Sequence, residues 1–95
     1  MREELHIAGI VVHVLPESVQ QVVESIAGWP GVEIHATSRD GKMVVTLEAP
    51  GAREIANRMD DIRHLDAVLS ASLVYQHNEA LEAMMEEVTY ENHET

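Results

Sequence analysis

The chain has no cysteine, no phenylalanine, a single tryptophan, and six lysines and arginines against seventeen aspartates and glutamates. Each shortage removes a class of function. Without cysteine there are no disulfides, no thiolate chemistry and no cysteine metal sites, a composition compatible with the cytoplasm. Aromatic residues at 3% and a formal charge of −11 argue against nucleic acid. RNA recognition on a sheet needs exposed rings and positive charge, and a phosphate backbone repels an acidic surface. Anionic lipid is disfavoured for the same reason. No apolar run approaches the roughly 20 residues that cross a bilayer. Residues 1–4 carry charges of both signs, and the apolar run after them has no small-residue cleavage site, so no secretory signal is expected.

What remains is enough for one domain. Ninety-five residues have room for a single thin core. The charge is uneven: six acids and no Lys or Arg lie from His77 onward, which leaves eleven acids against six bases, or −5, in residues 1–76. The globular part is only mildly acidic, and a cationic partner is favoured. Residues 1–78 are read as the domain and 79–95 as an acidic C-terminal tail. In the tail Leu81, Met84, Met85 and Val88 keep helical spacing, the pattern of a short amphipathic helix, marginal by itself at that length.

The stretch Ala8 to Val14 (AGIVVHV) is strand-length, rich in β-branched residues and apolar on both faces, as in a central strand. By parity Ala8, Ile10, Val12 and Val14 form a core face; Ile7, Gly9, Val11 and His13 form the other. Pro16-Glu17-Ser18 opens a helix, with Ser18 and Gln21 spaced as a capping box. Val19, Val22, Val23 and Ile26 form its apolar stripe, and Gly28 and Pro30 end it. Trp29, between them, is read as a lid over the helix end. Val32, Ile34 and Ala36 alternate inward against Glu33, His35 and Thr37. Asp40-Gly41 then marks a hairpin turn into Lys42 to Ala49, with Met43, Val45 and Leu47 inward. Pro50-Gly51 starts a second helix with a stripe of Ala52, Ile55, Met59 and Ile62. A last strand, Ala67 to Gln76, places Leu69, Ala71, Leu73 and Tyr75 on the core face and Val68, Ser70, Ser72 and Val74 on the other.

The order β-α-β-β-α-β predicts an α+β, ferredoxin-like fold: a four-stranded antiparallel sheet with both helices on one face and the first and third strands central. The opposite face stays open. It collects Ile7, Gly9, Val11, His13, Glu33, His35, Val44, Thr46, Glu48, Ser70, Ser72 and Val74, with apolar residues in the middle, acids on the hairpin side, and no Lys or Arg assigned to it.

Catalytic and metal constellations are missing. His6, His13, His35, His64, His77 and His93 form no HxH or HxxxH pair, and scattered surface histidines account for them. Ser70 and Ser72 have no nucleophile elbow around them. Asp60-Asp61 is a solvated helix face, and no Gly-rich phosphate loop occurs. No enzyme, metal or cofactor is expected.

Four segments in order, IVVHVLPE, the PGVEI after Trp29, GKMVVTLEA and LSASLVYQHNE, resemble the NapD family, over about His6 to Glu79. The resemblance implies a ferredoxin-like cytoplasmic chaperone with no catalytic residues. It would bind, at its sheet, the twin-arginine signal peptide of the periplasmic nitrate reductase catalytic subunit, delaying export until the molybdenum cofactor is installed. The open face collected above is where that peptide is expected. Its apolar residues would supply most of the affinity at roughly 25 cal/mol per Å². Exposed Arg–Glu pairs, worth about 0.2–1 kcal/mol each, would steer. A monomer or weak homo-oligomer is expected. A rival of the same fold class is an amino-acid-sensing regulatory domain, although its Gly-rich first loop is replaced here by Leu15-Pro16-Glu17. A third reading is a structural subunit that uses its edge strands.

Overall fold

The computed structural model describes residues 4–80. Strand β1 is Glu4–Val14. A single 3-10 turn, Pro16–Ser18, leads into helix α1, Val19–Ile26. Strands β2, Val32–Thr37, and β3, Lys42–Ala49, form the hairpin. Helix α2 is Ala52–Arg63, and β4 is Val68–Ala80. The sheet order is β2-β3-β1-β4 with every neighbouring pair antiparallel, so the first and third strands are central, as the element order requires. The expected tail from Leu81 onward lies outside the described residues.

The core follows the parity of β1. Ala8, Ile10, Val12 and Val14 are 0–1% exposed, and Met43, Val45 and Leu47 of β3 lie beside them. From the helices come Val22 and Ile26 of α1 and Ile55, Met59 and Ile62 of α2, each set at helical spacing. Fully burying one such aliphatic side chain contributes about 1.5–3 kcal/mol, which is why this one stripe per element defines which side of the sheet the helices cover. Trp29 packs against the core, and the Arg58 guanidinium lies 5.5 Å from its ring centroid, consistent with the expected lid.

Several local expectations change. Ser18 is the residue before α1 but makes no side-chain capping bond, because the 3-10 turn consumes the helix entry. The β2–β3 turn spans Ser38–Gly41 and contains the expected Asp40-Gly41 pair, closed by Ser38 N–H to Lys42 O at 2.8 Å. Gly41 there has φ +100°, and a Cβ on it would lie 2.2 Å from the Val14 carbonyl oxygen, so only glycine fits. His6 is no surface histidine; it is buried, with Ala49 and Asn78 as cross-strand neighbours.

The larger corrections come from bulges in the two edge strands. In β2 the register slips between Ile34 and Ala36, and Ala36, expected inward, lies opposite Val44 and is exposed. In β4 it slips twice, at Leu69 and at Val74. Val68 therefore pairs with the buried Val14 and packs on the core, where open-face parity had been expected. Tyr75 pairs with Gly9 and moves to the open side. Leu69 and Leu73, assigned inward, are 64% and 50% exposed, and Ala71 alone of that set is buried. A bulge reverses which side the following residues face, and an edge strand has a neighbour on one side only.

Candidate functional site

The helices leave one whole side of the sheet uncovered, and the strand registers arrange its side chains in rows. At one end Ile7 lies between Glu48 of β3 and His77 of β4. In the next row Gly9 lies between Thr46, itself opposite Glu33, and Tyr75. Val11 comes next, opposite Val44 on one side and Ser72 on the other. The last row joins His13 to Lys42 and Ser70. Of the residues expected on this face, Ile7, Val11, His13 and Thr46 are half-buried by their neighbours, whereas Glu33, His35, Glu48, Ser70 and Ser72 are exposed. Val44, 45% exposed, is the open apolar centre.

Two histidines are held by hydroxyls. His13 Nδ1 is 3.2 Å from Ser70 Oγ, and His35 Nε2 is 2.8 Å from Thr46 Oγ1. The same His35 nitrogen is 4.0 Å from Glu33 Oε1. The β2 bulge thus keeps His35 on the open side, reaching Thr46 across the hairpin. Val74, at the β4 bulge, is 64% exposed and opposes no residue of β1.

Sequence parity missed several members of the face, among them Ala36, which the β2 bulge places opposite Val44. Lys42 has the parity of Val44 and lies opposite His13, so the expectation of no cation on this face is wrong at that end. His77, opposite Ile7, lies past the bulge that resets β4. Tyr75 is the most consequential. Gly9 carries a readable signal for it, since glycine inside a strand often marks a close approach.

A concavity of about 370 Å³ opens on the helix side, lined by Leu15, Ser18, Gln21, Val22, Ser25, Leu65, Asp66 and Ala67. Its one charged lining residue is an acid, so it offers no cation for the carboxylate of an amino acid. The sensor reading therefore gains nothing from it.

Fold and face together define a ferredoxin-like domain in which, among the described residues, one side of the sheet is open, apolar at the centre and acidic along one end. The family model described as NapD protein matches residues 5–80. Chaperone NapD of Escherichia coli K12 is 24% identical over 80 residues, spanning 83% of this chain and 92% of that protein. Chaperone NapD of Shigella flexneri matches to the same extent, at 24% identity over 80 residues. The solution structure of the E. coli Tat proofreading chaperone protein NapD shares the fold with a TM-score of 0.74 at 24% identity, over 79% of this chain and 80% of that one. The chain belongs to the NapD family.

Proposed function

We propose that the open sheet face binds the twin-arginine signal peptide of the periplasmic nitrate reductase catalytic subunit in the cytoplasm. Occupying the peptide delays export until the molybdenum cofactor is inserted. The role is that of a chaperone without catalysis. Membership of the NapD family supports the reading, as does the Tat proofreading role of the E. coli NapD whose solution structure shares the fold.

The single observation that carries it is the Val11–Val44 pair, an apolar centre on the side of the sheet that the described helices do not cover, with the carboxylates of Glu33 and Glu48 toward one end. Such a peptide presents arginines followed by an apolar segment. Burial of the apolar segment contributes the larger share, at roughly 25 cal/mol per Å². The acids add orientation and association rate, with exposed ion pairs worth about 0.2–1 kcal/mol each. Ordering a flexible peptide offsets part of that gain, leaving an affinity that permits release.

The test is an NMR titration with the synthetic signal peptide. Amide shifts confined to Val11, Val44, Glu48, Ser72 and their row neighbours support the reading. Shifts confined to the cleft beside α1, or no binding, overturn it. A thermal-shift screen with free amino acids examines the sensor alternative in parallel.

A further inference from the structure

The open face holds one aromatic side chain other than histidine among the described residues, and its position is unusual. A Cβ built on Gly9 would lie 2.1 Å from Tyr75 Cε1 and 2.7 Å from both Cδ1 and Cζ. The ring therefore reaches from edge strand β4 over central strand β1, into space that any other residue at position 9 would occupy. It remains 42% exposed. The His77 ring stands beside it, with centroids 5.4 Å apart and planes tilted by 54°.

The charges around this ring are ordered along the sheet. Glu33 belongs to the same row, through Thr46 and Gly9, and Glu48 to the next row, across Ile7. Lys42 and His13 lie at the opposite end, beyond Val11 and Val44. A cation on the face is thus favoured near Tyr75 and disfavoured near Lys42. An exposed ring within two strand spacings of a carboxylate, about 10 Å, suits a planar guanidinium, which can stack on the ring while its N–H groups point to the acid.

Resting on the signal-peptide reading, we infer that Tyr75, seated over Gly9, is the subsite for an arginine of the peptide. Glu48 and Glu33 flank that arginine, and the apolar segment runs from there over Val11 and Val44 toward Lys42. The geometry thereby fixes the direction in which the peptide lies. It also assigns Gly9 its role, which is to leave room for the ring.

Calorimetric titration tests this with two synthetic peptides, the signal sequence and the same sequence with both arginines replaced by glutamine. Each is titrated into the wild-type protein, Tyr75→Leu and Tyr75→Phe, with a thermal melt confirming that the variants fold. Removing the ring in Tyr75→Leu should weaken the arginine peptide about two- to five-fold, the range for an exposed cation–π contact. The glutamine peptide should bind Tyr75→Leu and wild type alike, and Tyr75→Phe should recover the arginine-dependent part. Equal losses for the two peptides, or no loss for either, overturn the arginine subsite while leaving the face as the binding site. A loss in Tyr75→Phe as large as in Tyr75→Leu also overturns it, because the hydroxyl and not the ring would then be responsible. Failure of the wild-type protein to bind either peptide removes the signal-peptide reading itself, and this inference with it.

Discussion

Arg63, at the end of α2, donates two hydrogen bonds to the carbonyl of Ala71 in β4, from Nη2 at 2.9 Å and from Nε at 3.3 Å. The contact ties the second helix to the edge strand beside the only buried side chain of β4's expected inward set, that of Ala71. A salt bridge from Arg63 Nη1 to Asp60 at 3.6 Å holds the guanidinium in place.

Removing that tie with Arg63→Ala should cost about 1 kcal/mol, below the 1.5–3 kcal/mol of a buried charged hydrogen bond because the side chain stays partly in water. Urea unfolding should show the midpoint falling with an unchanged slope. Signal-peptide affinity should not move, since Arg63 is on the covered side. An unmoved midpoint would show that water replaces the guanidinium at no cost.

The β2–β3 turn makes a pH-dependent prediction. The Ser38 hydroxyl donates to the Asp40 carboxylate and is the main reason its pKa lies below the ordinary 3.8. A carboxyl depressed in the folded state adds stability that is complete above its unfolded value and lost as pH falls through the folded one. Ser38→Ala should let Asp40 titrate closer to 3.8 in an NMR titration of its side-chain carbon. The part of the stability difference due to Asp40 should be full at neutral pH and vanish in acid. Ser38 Oγ also accepts a bond from Lys42 N–H at 3.1 Å, so a pH-independent part should remain. An Asp40 titration identical in the two proteins would sink this account.

Ending the chain after Ala80 removes five acids and no Lys or Arg. If that charge steers a cationic peptide, stopped-flow association should slow at low salt and converge with the full-length rate at high salt. Cooperative melting should survive the truncation within a few degrees. Equal on-rates at low salt exclude steering, and a collapsed melt shows that Leu81, Met84, Met85 or Val88 belongs to the core.

The layering was legible in the sequence because it is a matter of period. Val22 with Ile26, and Ile55 with Met59 and Ile62, are stripes at 3.6, and Ala8 to Val14 alternates at 2. Both ends of that reading were incomplete. β1 begins at Glu4 because β4 continues to Ala80 and pairs with it, a partnership that no local pattern in Glu4, Leu5 or His6 displays. On the candidate face Ile7, Val11 and Val44 of the central strands lie where parity puts them. Its edges depart from parity, because a bulge inserts one residue without any residue type that demands it. Ala36, Val68 and Tyr75 all changed sides for that reason. Lys42 was a simpler omission, since it shares the parity of Val44 and begins the strand.

The sharpest test of which side is which uses one substitution at three positions. Val12 is 0% exposed in the core, whereas Val11 beside it in sequence is half-buried on the open side, opposite the 45% exposed Val44. Val12→Asp puts an unpaired carboxylate among Ile and Val side chains, at a cost of several kcal/mol against a typical domain stability of about 5–15 kcal/mol. That variant should be largely unfolded by circular dichroism. Val11→Asp gives up some packing, but its carboxylate reaches water, and Val44→Asp gives up less still, so both should fold. Each should nevertheless bind the signal peptide much more weakly, because docking must then desolvate a carboxylate at the apolar centre. Unfolding of Val11→Asp with a folded Val12→Asp would reverse the two faces of the sheet. Normal binding by folded Val11→Asp and Val44→Asp would move the peptide site off the open face altogether.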